Sequence, residues 1–194
     1  MAVPSPSPPA KDALRREALA RRRAYVAGLD GIERARLEQA LAEAVLPHLA
    51  GSKVVALYHP LASEIGTDAI ARGLSPQQRV VFPVFAARDS EMVFRVGPAS
   101  VPGPWNMLQP DTSAPALDPD TLIVPLVLAD RFGGRIGHGQ GHYDRALTRL
   151  RAAARVEAIG VGWPWQVVEE PLPVETWDAR LDAVATPEGW FPCA

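Results

Sequence analysis

The chain has 194 residues, 47% of them apolar and 22% charged, with 20 Lys and Arg against 22 Asp and Glu for a net charge of −2. That length and composition predict one globular domain and exclude a disordered chain, and the near-neutral balance excludes a global basic field steering the protein to nucleic acid. One cysteine, Cys193, excludes an internal disulfide framework and a Cys-built zinc site, and 20 prolines argue against a long helical bundle.

Residues 1–9 read as a disordered Pro/Ser tail without the basic and apolar regions of a signal peptide, and residues 10–194 as a single domain. No run approaches the roughly 18 apolar residues that a spanning helix needs, so a cytoplasmic protein away from the membrane is expected. Lys11 to Ala27, free of Gly and Pro, predicts a helix. Asp30 offers the N-cap of a second helix, in which Leu37, Leu41, Ala44, Val45 and Leu49 recur at helical spacing until Pro47 and Gly51 end it. Lys53 to Tyr58 predicts a strand, Thr67 to Gly73 a short helix, and Arg79 to Phe82 and Met92 to Val96 two more strands. Val101 to Pro119 predicts a long connection with no structure of its own. Thr121 to Leu128 predicts a strand interrupted at Pro125, Gly141 to Ala154 a helix, Val156 to Val161 a strand and Leu181 to Ala185 a last short one. Strands alternating with helices, several apolar throughout, predict an α/β domain with a mainly parallel sheet flanked by helices.

The segment from Asp130 to Arg145 carries the strongest chemical signal. Glycines at 133, 134, 137, 139 and 141 lie between a predicted strand and a predicted helix. Backbone N–H groups in such a turn form an anion nest, and the helix N-terminus adds partial positive charge. Arg135 supplies a fork of donors suited to phosphate, and Asp144 can hold a divalent metal against phosphate oxygens. There is no Gly-Lys-Ser/Thr of a P-loop, and His142 stands where the dinucleotide fingerprint wants its last glycine.

With these residues in view, the chain resembles the 5-formyltetrahydrofolate cyclo-ligase (methenyltetrahydrofolate synthetase) family. Where the family motif reads Gly-x-Arg-Leu-Gly-x-Gly-x-Gly-Tyr-Tyr-Asp, this chain reads Gly133-Gly134-Arg135-Ile136-Gly137-His138-Gly139-Gln140-Gly141-His142-Tyr143-Asp144. Lys11 to Arg15 looks like the family's N-terminal Lys-x-x-Leu-Arg. Tyr58 to Thr67, Trp105-Asn106, Gln109-Pro110, Gln166, Leu172 to Asp178, Leu181-Asp182 and Thr186 are similar to further family elements. His142, Gln140 and Trp177 depart from the residues often found at their places.

The resemblance implies a fold related to the sugar-phosphate isomerase and CoA-transferase architecture. It also implies ATP- and Mg²⁺-dependent conversion of 5-formyltetrahydrofolate to 5,10-methenyltetrahydrofolate. Carried onto this chain, it places Lys11, Arg15, Arg135, Ile136, Gly137, His138, Gly139, Gln140, Gly141, His142 and Tyr143 at ATP, with Arg135, Tyr143 and Lys11 as catalytic groups. His59, Glu64 and Trp105 are expected at the folate, and Asp144 and Asp178 at Mg²⁺. The partners are then ATP and the folate, with no nucleic acid, and a monomer is expected. Without the resemblance, Lys11 and Arg15 are a solvated helix face. A non-catalytic nucleotide- or RNA-binding module and a phosphosugar isomerase-like enzyme remain open on the same fold.

Overall fold

The computed structural model describes residues 9–87, 90–104 and 107–194. The expected tail up to residue 8 and Trp105, expected at the folate, lie outside the described residues. Pro9, read as part of the tail, instead starts helix α1 (Pro9–Ala27), a position where a missing N–H is tolerated. Asp30 caps α2 (Gly31–Val45) by accepting the Glu33 N–H at 2.8 Å, and Pro47 falls in the 3₁₀ turn Leu46–Leu49 that closes it.

The other elements follow in chain order as β1 (Val54–Ala56), α3 (Asp68–Gly73), β2 (Arg79–Val84), β3 (Val93–Val96), β4 (Val101–Pro102), β5 (Leu108–Gln109), β6 (Thr121–Pro125), β7 (Leu128–Asp130), β8 (Arg135–Ile136), α4 (His142–Ala153), β9 (Glu157–Val161), β10 (Val167–Val168), β11 (Ala183–Thr186) and β12 (Gly189–Pro192). A seven-stranded sheet runs β12-β11-β9-β6-β1-β2-β3. Its five inner strands are parallel, and β12 and β3 pair antiparallel at the two edges. This is the α/β architecture expected.

Three expectations change in detail. The run Thr121 to Leu128 is two strands, because the chain leaves the main sheet at Pro125 and re-enters as β7 of a separate β10-β7-β8 sheet. The stretch Val101 to Pro119 holds the small β4-β5 ladder and an Arg95–Ala116 bridge. The run ending at Ala185 is followed by one further strand, β12.

The alternation of side chains along the inner strands builds two cores. Val55, Ile123, Ile159 and Ala185 face α2 and α3, together with Leu41, Val45 and Ile70. Ala56, Leu122, Val124, Ala158 and Val184 face α4 through Ala146, Leu147 and Leu150. A third, smaller core sets Ala18 of α1 against Val127, Leu128, Ile136 and Leu172, seating the N-terminal helix on the small sheet.

Buried Asp130, at the end of β7, holds this corner together. Its Oδ1 accepts the Phe132 and Gly134 N–H groups, both at 2.8 Å, and its Oδ2 accepts that of Leu172 at 2.7 Å. One carboxylate thus fixes the turn before the glycine segment and ties it to the C-terminal stretch. Asp130→Ala strands three backbone donors, so a loss of about 3 kcal/mol is expected in denaturant unfolding. A midpoint unchanged from wild type would show that water takes over those N–H groups.

Candidate active site

In an open parallel sheet, crevices form beyond the carboxyl ends of strands where the strand order reverses. Here the chain moves from β1 to β2 on one side and later places β6 on the other. The cleft lies at that point, with Tyr58 and His59 after β1 and Pro125 at the end of β6 in its wall. It measures about 1100 Å³. Lys11, Arg15, Glu64, Arg135, Tyr143, Asp144 and Asp178 all line it, as do residues 137–142.

Three segments carry these groups. The first is the loop after β1, folded on itself: the Tyr58 hydroxyl donates to the Ile65 carbonyl at 2.7 Å, and the Thr67 hydroxyl to the Tyr58 carbonyl at 2.9 Å. This loop presents Glu64, which is only 4% exposed. The second is the glycine turn. Gly139 (φ +89°) and Gly141 (φ +65°) adopt left-handed backbone, and Gly141, the N-cap of α4, brings no side chain to cap the helix. The third is the stretch from Glu175 to Ala179, held by two ion pairs. Lys11 of α1 pairs with Asp178. Arg135 donates to Asp144 Oδ1 at 2.7 Å and to the Ala179 carbonyl at 2.8 Å, while the Ala179 N–H reaches the same Asp144 oxygen at 3.0 Å.

The cations of the cleft therefore stand beside carboxylates. Arg15 pairs with Asp12 and donates through Nε to the Gly137 carbonyl at 2.7 Å, which pins the start of the turn. Asp144 and Asp178 each use one oxygen for these bonds, leaving Asp144 Oδ2 and Asp178 Oδ1 without a hydrogen bond among the described residues. Two carboxylates lining one cleft suit Mg²⁺, which keeps waters and takes substrate phosphate oxygens besides one or two carboxylates. Among the described residues no group of three or more His, Cys, Asp or Glu forms a protein-only metal cage.

Titration favours neutral donors at the wall. Burial, helped by the Glu64 charge and opposed by Arg135, pushes the Tyr143 phenol well above its ordinary value, so it keeps its proton at neutral pH. Burial lowers the His59 pKa, against the pull of Asp68, and favours a neutral imidazole stacked on Phe82 at 4.5 Å between ring centres.

The expected site residues among those described line the cleft, with a few differences. Ile136 does not line the cleft: it is wholly buried in the third core, where its side chain anchors the turn from below. His138 turns toward Glu64 instead of standing only in the nest, with Nε2 at 3.0 Å from Oε1. His142 lies edge-on to Phe85 at 4.8 Å, and Arg145 bonds its Nδ1 at 2.9 Å. Gln166 and Gln109 act on the backbone. Gln166 bonds the Leu126 and Val127 carbonyls at the chain's exit from the sheet, and Gln109 pairs with both backbone groups of Phe85, a residue of the cleft wall.

Sequence reasoning missed Arg22. It is 2% exposed, lies 3.6 Å from Glu64, and donates to the Leu126 carbonyl at 2.9 Å and to Ser63 Oγ at 3.1 Å. The available signal was spacing: Lys11, Arg15, Ala18 and Arg22 follow one another at intervals of four, three and four along a helix, and so share one face.

Comparison with known proteins agrees with this architecture. The profile of the 5-formyltetrahydrofolate cyclo-ligase family matches residues 8–187. The chain is 31% identical over 171 residues to the 5-formyltetrahydrofolate cyclo-ligase of Mycolicibacterium smegmatis, covering 76% of this chain and 82% of that one. It is 46% identical over 68 residues to the enzyme of that name from Escherichia coli K12, a match spanning 35% of this chain and about a third (36%) of that protein's length. The solved structure of Aquifex aeolicus 5,10-methenyltetrahydrofolate synthetase superposes with a TM-score of 0.71 at 27% identity, over 94% of this chain and 92% of that one. By its profile match, its relatives and its fold, the chain belongs to the 5-formyltetrahydrofolate cyclo-ligase family.

Proposed function

We infer that the chain closes the imidazolinium ring of a folate, converting 5-formyltetrahydrofolate and ATP to 5,10-methenyltetrahydrofolate, ADP and phosphate. The observation that carries this reading is a single cleft in which an uncapped glycine turn, Lys11, Arg15 and Arg135 stand together with a buried carboxylate, Glu64.

The N5 formyl group is a poor electrophile, because the amide nitrogen donates into its carbonyl. Its oxygen attacks the γ-phosphorus of ATP, an O–P bond forms, and ADP leaves. N10 then attacks the activated carbon, the C–O bond breaks with release of phosphate, and N10 gives up its proton. Such a route needs positioning and charge neutralisation more than a protein nucleophile. Lys11, Arg15, Arg135 and the amides of residues 137–141 hold the triphosphate. Asp144 and Asp178 would hold Mg²⁺, which when bound neutralises phosphate charge. The protonated Tyr143 hydroxyl orients the formyl oxygen or the phosphoryl group, and the Glu64 carboxylate accepts N–H groups of the pterin, with neutral His59 beside it. Each is a role this reading assigns, supported by shared placement in the cleft.

The test is direct. Purified protein with 5-formyltetrahydrofolate, ATP and Mg²⁺ is expected to generate the methenyl chromophore, and a chelator is expected to abolish it. No product with ATP or any other nucleoside triphosphate would refute the enzyme reading, and nucleotide binding without turnover would leave a binding module.

A further inference from the structure

One interaction in the cleft links two of its segments through a side chain that the reaction itself does not require. His138 sits between Gly137 and Gly139 in the glycine turn, and its imidazole reaches across to the loop after β1. Its Nε2 lies 3.0 Å from Glu64 Oε1 and 3.4 Å from Arg22 Nη2. Arginine has no acceptor, and Arg22 spends other N–H groups on the Leu126 carbonyl and Ser63 Oγ. With its proton on Nε2, His138 donates to the Glu64 carboxylate, and Arg22 Nη2, itself a donor, makes no hydrogen bond to that nitrogen.

The three partners differ in freedom to move. Arg22 is 2% exposed and Glu64 4%, and the second Glu64 oxygen accepts the Leu61 N–H at 2.8 Å. The His138 side chain is 38% exposed and hangs from a turn in which the next residue, Gly139, has left-handed backbone. Arg22 and Glu64 form a fixed floor and His138 is the adjustable member. An anion that engages the amides of residues 137–141 fixes the backbone from which the imidazole projects. It thereby decides how well Nε2–H meets Glu64, and so how Glu64 directs its remaining lone pairs.

We propose that His138 is a positioning residue that carries the state of the glycine turn to Glu64, so that a nucleotide on the turn and a reduced folate at Glu64 bind cooperatively. This rests on the cyclo-ligase reading for the identity of the two ligands. Linkage makes the effect reciprocal: folate at Glu64 tightens nucleotide by the factor by which nucleotide tightens folate.

ADP is the suitable probe, because it occupies the turn without a transferable phosphoryl group and permits no reaction. Titration of 5-formyltetrahydrofolate by calorimetry, with and without saturating Mg-ADP, is expected to give a wild-type affinity ratio of about 5- to 50-fold. In His138→Ala the ratio falls to within about twofold of unity, and in His138→Gln, whose amide restores a donor, about half of it returns on a logarithmic scale. A merely structural role would shift both affinities and leave their ratio alone. A ratio preserved in His138→Ala, absent in the wild type, or lost equally in His138→Gln would each overturn the proposal. A wild type that turns over but shows no ratio removes only the coupling, whereas one that binds neither ligand removes the cyclo-ligase reading with it.

Discussion

Arg135→Ala is expected to lower ATP-dependent methenyl formation by about a hundred- to a thousandfold, the loss usual when one charge-stabilising donor is removed from a site of this kind. The same guanidinium holds the Ala179 carbonyl and Asp144, so this variant also loosens the stretch from Glu175 to Ala179. Arg135→Lys separates the two contributions. A single ammonium keeps the charge beside Asp144 but cannot present the planar fork that reaches both partners and a phosphate. Its melting midpoint is expected near that of wild type, with only about a tenth of the lost turnover factor regained. The measurement is turnover at saturating ATP alongside a thermal melt. A folded Arg135→Ala protein within about threefold of wild-type turnover would show that the turn amides and Lys11 hold the phosphates without it.

Arg22→Met is expected to have the largest effect on stability, about 3–5 kcal/mol, because it leaves the buried Glu64 carboxylate without its cation. For a chain of this length that corresponds to a fall in melting temperature of roughly 10 °C. The cause is the stranded charge more than the lost pair, so Arg22→Met combined with Glu64→Leu should recover most of the loss. The recovered protein would lack folate affinity, since Glu64 is the carboxylate assigned to the pterin. A single variant melting with wild type would mean that His138 and the Leu61 N–H compensate Glu64 unaided.

Sequence reasoning reached the long elements and the motif segment, and it failed where signals are short or face-dependent. Helices α1, α2 and α4 and the strands of the main sheet core carry enough periodicity or apolar content to be read. Strands β8 and β10 have two residues each, too few for any period to emerge. Strand β12 begins with Gly189 and ends with Pro192, residues that punctuate loops but are tolerated on an antiparallel edge. Among the site residues, Arg135 and Asp144 stand out because they sit in a glycine-rich turn. Arg22 stands among Arg21 and Arg23, and residue type alone does not say which of the three points inward. Its burial is decided by Glu64, which lies 42 positions further along the chain.

The bond from Lys11 to Asp178 joins residues 167 positions apart. A chain growing from the ribosome can form the glycine turn and β1 through β9 while the carboxylate that meets Lys11 is still unmade. Arg15 and Arg22 on the same helix meet Asp12 and Glu64 early, whereas Lys11 must wait for its carboxylate until Asp178 has been made. The cleft is accordingly among the last parts of the molecule to be completed, and a prematurely released chain would carry the phosphate turn without the wall that closes it.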